Sequence, residues 1–184
     1  MEQERLLREI AEILKKLDIP YIITGGIAVV VWGRPRFTAD IDIVIELKSS
    51  KLDRLAGELL KVDKDVYVDK PMMQKALLNK GEFNFIHSGS GLKVDFWILK
   101  NDAFDRERMR RRIKKNIAGT DIYLTTPEDL ILIKLLWYKE SESTRQLEDI
   151  VSVLKIQENL DMQHIRKWAS LQKTLPILDE LLKK

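Results

Sequence analysis

The chain has 184 residues, 45% of them hydrophobic, enough to bury one ordinary globular core and too long for a disulfide-stapled miniprotein. Its 32 Lys and Arg against 29 Asp and Glu leave a net charge of +3, so bulk electrostatics do not mark a nucleic-acid binder. Cysteine is absent and histidine occurs twice, which excludes disulfides, thiolate metal centres and cysteine nucleophiles and gives a polyhistidine site no basis.

The first residues are polar and charged, and no apolar run approaches the roughly 20 residues of a membrane span, so the expectation is a soluble cytoplasmic protein without a membrane partner. Leu6, Leu7, Ile10, Ile13, Leu14 and Leu17 recur at helical spacing and predict an amphipathic helix ending before Asp18-Ile19-Pro20. Tyr21-Ile22-Ile23-Thr24 reads as a short strand closed by Gly25-Gly26, and Ile27 to Trp32 as a buried helix broken at Gly33-Arg34-Pro35-Arg36. Phe37 to Leu47 alternates as a strand with Ile41, Ile43 and Ile45 on one face and Asp40, Asp42 and Val44 on the other.

A helix is expected over 51–60, then a short strand at Val66-Tyr67-Val68 and a helix opened by Pro71. Glu82 to His87 and Leu92 to Leu99 read as a hairpin joined by Ser88-Gly89-Ser90-Gly91. Asn101 to Lys115 reads as a basic helix or loop, and Asp121 to Leu124 as the last strand. Thr126, Pro127 and Glu128-Asp129 then form a helix start, with further helices near 143–154, 162–171 and 175–182. The expected class is therefore α/β (α+β), a mixed sheet flanked by helices over 1–125, followed by a C-terminal helical unit, 126–184, packing on it.

Several residues along this pattern can carry chemistry. A strand, two glycines and a helix favour an anion, because glycines let a phosphate approach the backbone and free N–H groups at a helix start point at it; taken alone, the same pattern also serves ordinary turns. Asp40 and Asp42, two apart on a strand, project from one face, so they either hold a divalent cation or form a polar strand end in solvent. As hard oxygen ligands they suit Mg²⁺ or Mn²⁺. Asp95 lies in the apolar strand Lys93-Val94-Asp95-Phe96-Trp97-Ile98, where a buried carboxylate calls for a partner. If its strand neighbours that of Asp40, three carboxylates could flank two ions in the arrangement used for phosphoryl and nucleotidyl displacement.

Thr24-Gly25-Gly26, Arg36-Phe37-Thr38-Ala39-Asp40-Ile41-Asp42-Ile43 and the later Asp95 together resemble the nucleotidyltransferase superfamily that includes DNA polymerase β and the minimal nucleotidyltransferases. The resemblance implies the nucleotidyltransferase fold and transfer of a nucleoside monophosphate from a nucleoside triphosphate to an acceptor hydroxyl with two Mg²⁺ ions. It assigns triphosphate contact to Gly25 and Gly26 within a nucleotide site reaching Arg36 and Thr38, ion binding to Asp40 and Asp42, and activation of the attacking hydroxyl to Asp95. Gly26 stands where many members carry serine, which leaves backbone contacts in place of a hydroxyl.

The stretch Pro127-Glu128-Asp129-Leu130 to Lys134, with Arg145-Gln146-Leu147-Glu148-Asp149, is similar to the C-terminal motifs of the abortive-infection nucleotidyltransferase toxins. That likeness implies that Lys134 meets nucleotide phosphates and that Asp149 lies near the base. The residues themselves leave a second possibility open: Lys134, the one charge in an otherwise apolar helix, pairs with Asp149 or Glu148. The basic stretch Arg106, Arg108, Arg110, Arg111, Arg112, Lys114, Lys115 is either a solvated face or a grip for RNA phosphates, transfer RNA being the obvious acidic partner. His87 and His164 lack neighbouring metal ligands in the sequence, and Trp137 and Trp168 read as core.

Two rival readings exist. One is a noncatalytic module of the same fold, binding nucleotide or pairing with a protein partner in the manner of an antitoxin; the presence of all three carboxylates argues against it. The other, a dinucleotide-dependent oxidoreductase, fits poorly because Gly25-Gly26 lacks the G-x-G-x-x-G pattern.

Overall fold

The structure, a computed structural model, describes residues 2–117 and 119–183. In chain order it comprises α1 (Glu2–Lys16), β1 (Tyr21–Thr24), α2 (Gly25–Trp32), β2 (Asp40–Ile45), α3 (Ser49–Leu59), β3 (Val66–Val68), α4 (Lys70–Asn79), β4 (Glu82–His87) and β5 (Leu92–Ile98). There follow α5 (Ala103–Arg111), β6 (Ile113–Ile117), β7 (Thr120–Leu124), α6 (Pro127–Ser141), α7 (Thr144–Ile156), α8 (Met162–Leu171) and α9 (Leu175–Leu181). No helix among the described residues is long and apolar enough to cross a membrane.

One mixed sheet runs in the order β3-β4-β5-β2-β1-β7-β6. β2 pairs antiparallel with β1 and parallel with β5. Alternation gives the sheet two unlike faces. One carries Ile23, Ile41, Ile43, Ile45, Phe83, Phe85, Val94 and Phe96, all at most 1% exposed. Burying side chains of this size stabilises the fold by about 1.5–3 kcal/mol each. α1, α3 and α4 belong to this side: α1 contacts α3, α3 contacts α4, and α4 contacts β4 and β5. Their buried positions, such as Leu6, Ile10 and Leu14 in α1 and Leu52, Leu55 and Leu59 in α3, recur at helical spacing.

The other face carries Thr24, Asp42, Val44, Asp95 and Trp97, and the later helices lie towards it. α6 begins where the sequence says it must: Thr126 Oγ1 accepts the Asp129 N–H at 3.1 Å, and Pro127 occupies the first turn. α2 joins the two parts, contacting β1 and β2 on one side and α6 and α7 on the other. The Trp32 indole donates to the Thr125 carbonyl at 2.9 Å, and Gln157 Nε2 donates to the Trp32 carbonyl at 2.7 Å.

The basic stretch departs from expectation. It is not one helix or loop: α5 stops at Arg111, Arg112 turns the backbone, and Ile113–Ile117 becomes an edge strand pairing antiparallel with β7. Lys-Lys-Asn between two isoleucines hides this strand from a hydrophobic pattern, yet lysines suit an exposed sheet edge, where they deter pairing with other chains. Nor is the run a free basic face. Arg108 is buried against Asp105 at 2.9 Å, Arg110 pairs with Glu107 at 2.7 Å, and Lys114 pairs with Asp121 at 2.6 Å. Arg111 lies 3.6 Å from Glu128 and 3.5 Å from Asp129, while Arg112 and Lys115 sit over the rings of Tyr123 and Trp32. Arg106, Arg110, Lys114 and Lys115 remain exposed, so the run is a solvated face crossed by local ion pairs, with Arg108 alone of its basic residues buried.

Candidate active site

Thr24 ends β1 and Gly25 opens α2 with φ +60°, a left-handed conformation that suits glycine. A Cβ at Gly25 would lie 1.8 Å from Asp42 Oδ2, and one at Gly26 would lie 2.2 Å from Thr38 Oγ1. The two glycines therefore let the start of α2 lie directly against the carboxylate strand. We expect Gly25→Ala to displace Asp42 and to destabilise the fold by roughly 1–3 kcal/mol in thermal melts, because both the backbone conformation and the space oppose a side chain. An unchanged melting temperature would show that the turn accepts a side chain.

Asp42 and Asp95 are register partners on the parallel strands β2 and β5, and Asp40 stands one step along, opposite Lys93. Burial and the neighbouring Asp95 raise the Asp42 pKa above the ordinary carboxylate value, while the Gly26 N–H offsets part of this. The Trp97 indole N–H is turned towards Asp42 but lies outside hydrogen-bonding geometry. Asp95 is 8% exposed; Lys93 Nζ approaches its Oδ2 at 2.9 Å, and its Oδ1 has no hydrogen-bond partner. Among the described residues no three acidic or imidazole groups close into a metal cluster. The expected convergence of three carboxylates is thus present as adjacent positions on one sheet face, not as a finished cage. A half-buried and a buried carboxylate side by side, the latter with an unpartnered oxygen, nevertheless form a donor set that a divalent cation fits.

The opposite wall comes from the helices. Asp149 on α7 is 2% exposed and binds two cations at once. Arg36 meets it through Nε at 2.7 Å and a terminal nitrogen at 2.8 Å, and Lys134 Nζ reaches its Oδ2 at 2.7 Å. Burial would raise the Asp149 pKa, but Arg36 and Lys134 hold it below the ordinary range. Lys134 also donates to Gln146 Oε1 at 2.9 Å, and burial lowers its own pKa. Of the two possibilities for Lys134, the pairing with Asp149 is observed, and the amine also lines the cleft.

The same contacts explain why the expected strand from Phe37 begins only at Asp40. Residues 33–39 are drawn to α7 by the Arg36–Asp149 bond, by the Arg34 N–H on Ser152 Oγ at 2.5 Å, and by Arg145 donating to the Phe37 carbonyl at 3.3 Å. Gly25, Gly26, Arg36, Thr38, Asp40, Asp42 and Lys134 line one open cleft of about 400 Å³. Asp149 lies behind Arg36 and Lys134, and Asp95 beside Asp42. Phe37, Ala39, Trp97, Trp137, Arg145 and Gln146 complete the lining; the sequence reading assigned Trp137 to the core, where it is only half-buried, and no site role to the others. Arg145 and Gln146 lie beside Asp149 in the second motif, which was the available signal.

The histidines lie elsewhere. His87 meets Ser90 Oγ at 2.7 Å and Asp63 at 3.2 Å, pinning the β4–β5 turn, and His164 meets Asp129 at 2.7 Å.

Solved structures with this fold include an antigenic nucleotidyltransferase-like protein from Paracoccidioides brasiliensis, 22% identical over 97% of this chain and 91% of that one, with a TM-score of 0.57. The antibiotic-resistance factor ANT(2″)-Ia is 13% identical over 97% of this chain and 96% of its own, with a TM-score of 0.58. The lincosamide antibiotic adenylyltransferase LnuA, solved with lincomycin, is 13% identical over 84% and 97% of the two chains, with a TM-score of 0.54. At these identities the likeness establishes a nucleotidyltransferase fold. No curated protein sequence matches the chain. A family model does, over residues 3–174, and the chain belongs to that family, described as nucleotidyl transferase of unknown function (DUF2204).

Proposed function

We propose that this chain transfers a nucleoside monophosphate from a nucleoside triphosphate to an acceptor hydroxyl, in the cleft between the sheet and the helical part that begins near residue 126. The observation that carries this reading is the Asp42–Asp95 pair at one register position beneath the glycine turn, facing Lys134 across the cleft. The Gly25-Gly26 turn and the start of α2 offer backbone N–H groups to phosphate oxygens, and Lys134 and Arg36 supply positive charge from the opposite wall.

Asp40, Asp42 and Asp95 would hold divalent ions, Mg²⁺ or Mn²⁺, which polarise the α-phosphate and stabilise the leaving oxygen when bound. Asp95, beside Asp42 and with one oxygen unpartnered, is placed to accept the proton of the acceptor hydroxyl. The acceptor oxygen forms a bond to the α-phosphorus, the bond from that phosphorus to the bridging oxygen breaks, and pyrophosphate leaves with the electron pair. Asp149 acts as a positioning residue: it holds Arg36 and Lys134 in place, since a buried carboxylate with two cations fixes both side chains.

The test is to incubate the full chain with α-labelled triphosphate, Mg²⁺ and a cell extract, in parallel with γ-labelled triphosphate. The expected result is covalent label from the α position only, abolished by chelator. Triphosphate binding with no transfer to any acceptor would favour the noncatalytic nucleotide-binding module instead. Absence of binding in the presence of Mg²⁺ or Mn²⁺ would overturn both.

A further inference from the structure

A second cavity, about 630 Å³, adjoins the nucleotide cleft, and Trp97 and Trp137 line both. The connection follows from the sheet register. Asp42 pairs with Asp95, and two residues further along the same strands Val44 pairs with Trp97, so the cavity floor continues the carboxylate pair at about 6–7 Å. The walls are apolar and aromatic: Phe104 from α5, Ile133, Leu136 and Trp137 from α6, and Trp168 from α8. Phe104 and Trp168 lie 5.2 Å apart between ring centroids.

Of the charges lining this cavity, Lys80 is half-buried and the others are paired or exposed to solvent. Asp105 is paired with Arg108 at 2.9 Å, and Asp102 caps α5 through the Asp105 N–H at 2.8 Å. Lys100 and Glu140 are exposed and of opposite sign. Three buried polar groups are not committed among the described residues: the Thr24 hydroxyl, the Trp97 indole N–H and the Gln172 amide. Gln172, at the end of α8, lines the cavity with both its side-chain nitrogen and its side-chain oxygen buried and without a hydrogen-bond partner among the described residues. Buried amides of this kind are ordinarily satisfied, so a ligand bearing a complementary polar group would complete it.

We infer that this cavity takes the acceptor, and that the acceptor is a small, uncharged, largely apolar ring compound carrying a hydroxyl. The inference rests on the nucleotidyl-transfer reading above and adds the substrate class. A half-open cavity of drug-like size, floored and walled by indole and phenyl rings, selects a flat apolar body by burial and ring contact. It offers a polycationic acceptor no buried free carboxylate, because Asp105 is paired and Asp102 and Glu140 are exposed to solvent. A nucleic-acid end is disfavoured by the same walls, since the buried arginine Arg108 is paired with Asp105 and so is not free for phosphate.

The test uses the full chain, Mg²⁺-ATP and 2-naphthalenemethanol as a neutral aromatic alcohol, followed by calorimetry. Ala103, exposed at the cavity mouth on the first turn of α5, is changed to phenylalanine to obstruct entry. In a second variant Gln172→Leu removes the amide. The expected result is saturable binding of the alcohol to the unaltered chain, weakened about tenfold or more by Ala103→Phe and less by Gln172→Leu, with ATP affinity unchanged in both. No binding of the alcohol alongside normal ATP binding, or binding indifferent to both substitutions, overturns the inference and leaves nucleotidyl transfer standing. Binding of a polyamine-substituted sugar in preference to the alcohol overturns it as well. Failure of the unaltered chain to bind ATP removes the reading beneath it.

Discussion

Asp42→Asn will eliminate nucleotidyl transfer, by about 10³-fold or more, while leaving the fold as stable as before or more so. The loss follows from removing a charged oxygen donor from the carboxylate pair that faces the phosphates. The stability result has the opposite sign because burial and Asp95 already disfavour the Asp42 charge. The folded-state pKa of Asp42 lies above its ordinary 3.8, so the fold prefers the protonated form. Stability therefore falls as pH rises from 3.8 through the higher folded value, and above that value the loss is complete. Asparagine removes this penalty and its pH dependence. A divalent cation relieves the same repulsion, so metal binding should release protons at mildly acidic pH in the unaltered chain and not in the variant. Thermal melts across pH, with and without Mg²⁺, read both effects. A variant that melts well below the unaltered chain and still binds Mg²⁺-triphosphate would show that Asp42 is a structural residue.

Asp149→Ala should be the most destabilising substitution in the site, costing about 3–5 kcal/mol. It leaves Lys134, 3% exposed, and Arg36 facing each other without their shared carboxylate. For a chain of this length each kcal/mol shifts the melting temperature by roughly 2–4 °C, so a fall of about 10 °C is expected. The Asp149 pKa is held below 3.8 in the fold, so its contribution is fully present above 3.8 and fades as pH drops through the lower folded value. The difference between the two chains should therefore narrow in acid. Lys134→Met gives the contrast: Asp149 keeps its two-point bond to Arg36, an apolar stem remains, and the stability loss stays within about 1 kcal/mol while triphosphate affinity falls about tenfold. Equal melting losses for the two variants would place Lys134 in the structural pair alone.

The parts of this protein legible in its sequence are those where chemistry is local. Period-two alternation from Ile41 to Ile45 put Asp40 and Asp42 on one face because side chains on a strand can only alternate. Thr126-Pro127 announced α6 because capping is satisfied within one turn. Gly25-Gly26 between a strand and a helix announced the turn because few other residues fit a positive φ against a neighbouring carboxylate.

What the tertiary structure alone decided involves partners distant in the chain. That Asp95 stands beside Asp42 depends on β5 crossing back parallel to β2, a pairing between residues 53 positions apart that no local pattern encodes. The pairing of the basic run was decided the same way: Lys114 and Arg111 find acids on β7 and α6, partners that no local pattern names. The placement of Lys134 is tertiary as well. An apolar helix with one lysine states that an anion must be near, because a buried charge needs one; only the packing of α7 and the 33–39 loop against α6 supplies Asp149 and leaves the amine at the wall of the cleft.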